Sequence, residues 1–288
     1  MPVPTDYIFQ AGSCQKSEIF DLIVNKLKAA GWTDVSSLAS SDYIVLKSTG
    51  NTGDKNLILN LRKGNAAGTA GRDVDSTAYC QISYRLQDSY TPGAIGVAGI
   101  FGRPTLAWTD LYIAPVAANG TLALDTTVNY KVYVDVSKII LAIEYPPATG
   151  YSPILIYMGQ PDTVYMPESG SKGVLVAVTN GGTTAASAII CNSPDGIGSV
   201  ATPYAVATAA LLPTKNPNNA GKYFDSPVYY QTTTEGMRGK LDGILCMPNL
   251  AALTGDNITI DGDTYYVLVC HTQGITSFQS QVLLVRIV

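Results

Sequence analysis

The chain has 288 residues, of which 46% are apolar and only 14% charged, and its formal net charge is −4 from 18 basic and 22 acidic side chains. That length suits two or three compact units. Soluble domains usually carry about 25% charge, so Thr, Ser, Asn, Gln and Tyr must cover much of this surface. No basic stripe is present, which excludes nucleic acid as a partner. The most apolar long run, at 200–213, is broken by Pro203 and too short for a bilayer, and no Sec-type signal opens the chain, so cytoplasmic synthesis without a membrane partner is expected.

From the N-terminus, residues 17–30 (SEIFDLIVNKLKAA) read as the clearest helix. Ser17 can cap it, and Glu18 and Asp21 favour the positive end of its dipole. Ile19, Leu22, Ile23 and Leu27 make one apolar face. Gly31 offers the left-handed stop, with Trp32 folding back onto Leu27. Two strands follow, at 43–47 and 56–62, joined by a turn that Gly50 and Gly53 permit. Leu57, Leu59 and Leu61 point to one face under the helix, and Asn60 and Arg62 define a polar face expected to stay available.

Residues 63–76 (KGNAAGTAGRDVDS) read as a flexible loop or arm. Strands are expected at 78–86, 106–113, 128–135, 139–145 and 154–158, punctuated by prolines. A further sheet unit begins near Lys172 with GVLVAV. At the C-terminus, 258–260, the turn Asp261-Gly262-Asp263, and 264–269 give a strong hairpin signal, and 282–288 is a last strand. The expected fold is mainly β with an α+β N-terminal module: a helix-backed hairpin (1–64), an arm (65–76), a central β unit packing with that module (77–170) and a C-terminal β unit (171–288), as antiparallel sandwich or jelly-roll-like layers.

Catalytic patterns are thin. Ser13-Cys14-Gln15-Lys16 and Ser169-Gly170-Ser171-Lys172 fit S-x-x-K, but the supporting elements of that chemistry are missing. His271 is the sole imidazole and has no nucleophile elbow beside it. The acids, including Asp73, Asp75, Asp261 and Asp263, read as turn residues. A calcium site would need about six to eight oxygens. The five cysteines form no CxxC pair, and Cys80, Cys246 and Cys270 lie in apolar runs, so buried reduced thiols are expected and zinc is not. Neither a cofactor, a metal nor an enzymatic activity is expected.

Three stretches together carry a resemblance. The helix with Gly31-Trp32 and YIVLKSTGNTGDKNLILNLR, then YKVYVDVSKIILAIEYPPATGYSPILIYMG, then GKLDGILCMPNLAALTGDNITIDGDTYYVLV, in that order, resemble the opening, central and closing segments of a broad group of bacteriophage virion structural proteins. Lys138-Ile139 departs from the basic pair that often follows the central turn in that group. The resemblance implies a non-enzymatic component of a neck, collar, tail or baseplate that forms homo-oligomers and docks to other virion proteins. Tyrosine outnumbers phenylalanine 18 to 5, which suits half-buried interface positions and also strands. The candidate contact residues are Gly68, Gly71 and Arg72 in the arm, the polar face of the hairpin, and Tyr229 and Tyr230 in SPVYYQT. A glycan-binding, receptor-recognising module is the rival expectation, and a hydrolase a more distant one.

Overall fold

The computed structural model describes residues 7–38, 40–64, 80–102, 108–114, 122–149, 151–161, 173–180, 187–193, 196–201, 226–232, 236–247, 253–270 and 282–288. A short strand, β1 (Gln10–Gln15), and a 3-10 turn (Lys16–Glu18) lead into helix α1 (Ile19–Ala29). The helix starts two residues later than its pattern suggests, and Glu18, rather than Ser17, satisfies the chain at its entry by accepting the Gln15 N–H at 2.8 Å. Its exit follows the sequence expectation. Gly31 adopts φ 100°, its N–H donates to the Lys28 carbonyl, and the Trp32 N–H reaches back to Leu27. This is the paired bonding of a Schellman stop.

A five-stranded antiparallel sheet comes next: β2 (Thr33–Asp34), β3 (Tyr43–Ser48), β4 (Leu57–Lys63), β5 (Cys80–Gln87) and β8 (Thr109–Ala114), in that spatial order. Between β5 and β8 the chain makes a small hairpin from β6 (Tyr90–Thr91) and β7 (Ile100–Phe101). The remaining strands are β9 (Thr127–Val134), β10 (Lys138–Glu144), β11 (Ile154–Gly159), β12 (Val174–Asn180), β13 (Ser187–Ser193), β14 (Gly196–Ala201), β15 (Ser226–Thr232), β16 (Gly236–Met247), β17 (Asn257–Ile260), β18 (Asp263–Val269) and β19 (Val282–Arg286). With β1 they form one twelve-stranded sheet, ordered β1-β9-β10-β11-β12-β13-β14-β15-β16-β19-β18-β17.

The mainly β class is as expected, and strand pairing joins segments far apart in the chain. β1 pairs with β9 over six residues, and β11 pairs with β12 across residue 171. Central strands β10 and β11 explain the continuity. Ile139, Leu141 and Ile143 of β10, with Ile154, Ile156 and Met158 of β11, join α1, Trp32 and the leucines of β4 in one core. Ile140, Ala142, Leu155 and Tyr157 on the opposite face join Val228, Tyr230, Leu241, Ile244 and Leu283 of the C-terminal strands in a second. Alternate side chains of a strand point to opposite faces, so an unbroken apolar run such as KIILAI can serve two cores at once.

The hairpin of β17 and β18 closes on Asp261 (φ 50°) and Gly262 (φ 96°), with Ile260 opposite Asp263. Two consecutive positive φ values define the type I′ turn that the Asp-Gly pair favours.

Candidate interaction surfaces

Three exposed large apolar side chains, including the two most exposed among the described residues, lie on the excursion between β5 and β8. Ile95 is 100% exposed, Ile100 75% and Val97 57%. The segment carrying them, PGAIGVAGI, has no charge. It is nevertheless held in place. The Ser37 hydroxyl donates to the Val97 carbonyl at 2.6 Å and lies 3.0 Å from the Tyr90 hydroxyl, and the Gly96 N–H donates to the Ser37 carbonyl. The Tyr90 and Phe101 rings pack 4.9 Å apart at its base. The Trp108 and Tyr43 rings meet in a T-shaped contact with their centroids 5.9 Å apart. An apolar tip on a fixed base is a ready protein contact, since its ordering cost is already met by the fold.

A second feature lies between the layers. Lys138 on β10 and Asp242 on β16 are both buried, with Nζ and Oδ2 3.7 Å apart. Tyr7 receives a hydrogen bond from Lys138 Nζ at 3.1 Å and donates one to Asp242 at 3.4 Å. Lys240 Nζ stands 3.1 Å from the other carboxylate oxygen. The Tyr7 ring packs on Tyr133 at 4.7 Å and over Gly243, where a Cβ would come within 3.0 Å of it. Burial first, and then the Asp242 charge, push the Tyr7 phenol well above its ordinary range. The arrangement is two cations and a hydroxyl around one carboxylate, closed in by aromatic faces. It ties the N-terminal segment, the central wall and the C-terminal strands together electrostatically. Asp135 organises the adjoining turn by accepting from the Ser137 and Lys138 N–H groups and from the Tyr133 hydroxyl.

No family model matches the chain, and no curated protein matches it.

Of the contact residues named from sequence, Gly68, Gly71 and Arg72 lie outside the described residues. Tyr229 is half-buried on β15. Tyr230 needs correction as a surface anchor, because it is 2% exposed and belongs to the second core. Neighbours in a strand face opposite ways, so the Tyr-Tyr pair divides between inside and outside. The polar face of the β3–β4 hairpin also needs correction. Asn60 is fully buried there.

Among the enzyme patterns, Ser13 is exposed on β1 and Lys16 is buried, with its ammonium donating to the Leu122 carbonyl at 3.3 Å. Asp263 is occupied by Arg286 at 2.7 Å. His271 and Ser169 to Lys172 fall outside the described residues. Burial pushes the Cys246 thiol up to about 12, and burial with the nearby Glu18 charge raises Cys14 to about 11, so neither presents a thiolate at neutral pH. No helix among the described residues is long and apolar enough to cross a membrane.

Sequence reasoning missed both features of this section. The excursion shows only as a glycine-rich stretch with isolated apolar residues. Lys138 and Asp242 stand about a hundred positions apart, and only the stacking of β16 on β10 brings them together. The lone basic residue that opens the apolar strand at Lys138 was the available signal: a charge at a strand position with both faces buried needs a countercharge.

Proposed function

We propose that the protein is a non-enzymatic structural component of a bacteriophage particle, self-associating and docking to other virion proteins at a neck, collar, tail or baseplate position. The observation that carries this reading is the uncharged tip of Ile95, Val97 and Ile100, exposed yet fixed to the body through Ser37. The charge-poor composition supports it, since a surface dependent on neutral polar groups resists association less than a highly charged one. The ordered sequence resemblance supplies the virion setting. Repeated contacts of modest strength suffice on a particle with many copies.

Sedimentation of the purified chain across a concentration series tests the reading. Oligomers are expected, and Ile95→Asp with Ile100→Asp should return them to monomer without loss of folded structure. A wild-type chain that stays monomeric at every concentration would sink it. The glycan-binding alternative draws on the convergence of Tyr43, Tyr90, Phe101 and Trp108 beside the tip. Specific glycan-array binding abolished by Trp108→Ala would favour that alternative.

A further inference from the structure

The site around Lys138 and Asp242 holds more than an ion pair needs. Lys138 Nζ and Asp242 Oδ2 are 3.7 Å apart, too far for a direct hydrogen bond. The Tyr7 hydroxyl spans the gap, accepting from Nζ at 3.1 Å and donating to Oδ2 at 3.4 Å. The other carboxylate oxygen, Oδ1, accepts no hydrogen bond and faces the Lys240 ammonium at 3.1 Å. The rings of Tyr7 and Tyr157 stand beside Nζ. An amine and a carboxyl group are thus held together in a dry site. A proton relay lies between them, and a cation faces the oxygen on which charge would collect if the amine attacked.

A second buried pair lacks these parts. Lys131 Nζ is 2.9 Å from Glu144 Oε1, but the Tyr266 hydroxyl donates to the far oxygen and turns its ring face to the ammonium. That pair also joins β9 to β10, which are already hydrogen-bonded neighbours, whereas β10 and β16 are not adjacent in the sheet.

We infer that Lys138 and Asp242 condense to an isopeptide bond that joins β10 to β16 after the chain has folded. Nζ passes a proton through the Tyr7 hydroxyl and adds to Cγ of Asp242, while charge collects on Oδ1 beside Lys240. The Cγ–Oδ2 bond then breaks. Oδ2 leaves as water with two protons from the ammonium, the third stays on the amide nitrogen, and Oδ1 becomes the amide carbonyl. No oxidant or co-reactant is required. Folding favours the step by holding the two groups at high effective concentration. The product is neutral, which relieves the desolvation penalty of two buried charges. The bond closes about a hundred residues of chain into a loop. The freshly folded chain holds the ion pair, and the condensed chain holds the bond. A covalent tie would suit a particle component, but the inference does not rest on the assembly reading.

Mass spectrometry of the intact full chain, sampled while the folded protein is incubated, tests the inference. Wild type should lose one water, and digestion should yield a branched peptide joining Lys138 to Asp242. Tyr7→Phe keeps the ring and removes the relay. It should slow condensation by on the order of a hundredfold with the fold unchanged by circular dichroism. Asp242→Asn should form the same bond with loss of ammonia instead of water, and Lys138→Arg should give no branched peptide. A folded wild type that keeps its full mass would overturn the inference. So would water lost only to a succinimide at Asp242-Gly243, which leaves the peptide linear. Condensation of Tyr7→Phe at the wild-type rate would overturn the relay. A monomeric wild type would defeat the assembly reading and leave the branched peptide expected.

Discussion

Lys138 and Asp242 form a buried electrostatic link between the central wall and the C-terminal strands, and a double-mutant cycle would measure it. Their side chains are 6% and 7% exposed, so removing one partner takes a countercharge away from a charge held in a dry site. Asp242→Leu leaves the Lys138 ammonium with the Tyr7 hydroxyl and the Tyr7 and Tyr157 ring faces at 5.1 and 5.8 Å, and no longer with this countercharge. A loss of about 3–5 kcal/mol is expected. Lys138→Met should cost less, about 2–3 kcal/mol, because Lys240 still faces the carboxylate. In the double variant the methionine and leucine complete an apolar seam, and Lys240 can turn to solvent. The double loss should therefore fall short of the sum of the single losses by about 1–3 kcal/mol. Urea unfolding followed by far-ultraviolet circular dichroism and by fluorescence of the buried Trp32 provides the three free energies. The exposed pair Lys28–Asp34, at 3.0 Å, is the control: Lys28→Ala should cost no more than about 1 kcal/mol. Additivity of the buried pair to within about 0.5 kcal/mol would refute the reasoning, since independent sites behave that way.

Gly159 ends β11 at φ 133°, where a Cβ would run into the Ser137 carbonyl and the Lys138 Cα. Gly159→Ala should lower the midpoint of urea unfolding by the equivalent of about 2 kcal/mol or more. Trp32 donates its indole N–H to the Asp135 carbonyl at 3.1 Å, so Trp32→Phe should cost about 1–3 kcal/mol through the orphaned acceptor and lost volume. Stability should also fall at alkaline pH. Burial holds Cys246 at about 12 against an unfolded value near 9, and Tyr43 at about 12 against 10. The unfolded chain therefore releases protons first as pH rises. The stabilisation is complete below pH 9 and is lost between 9 and 12, with Cys246 alone contributing about 1.4 kcal/mol per pH unit in that window. Thermal unfolding at pH 8, 9.5 and 10.5 would show it, and a flat profile would contradict the buried placement of these groups.

Sequence alone was enough for the elements whose signals are local. The α1 stop at Gly31 and Trp32, the leucine face of β4 and the Asp261-Gly262 turn follow from backbone conformations and alternation spanning a few residues. β1 gives no such signal. GlnAlaGlySerCysGln has neither alternation nor β-branched residues, and it is a strand because it completes the edge of β9, with Gly12 leaving room for the Tyr130 ring. β16, with glycines at 236, 239 and 243, is likewise held by β15 and β19 on its two sides. The interaction features divide in the same way. That the surface would be neutral and poorly charged was decided by composition. Which tyrosine of the 229–230 pair faces out, which carboxylate meets Lys138, and that Asn60 is buried were decided only when the layers stacked. A strand's own residues fix the alternation of its side chains, whereas the burial of each face depends on chain that arrives from a hundred residues away.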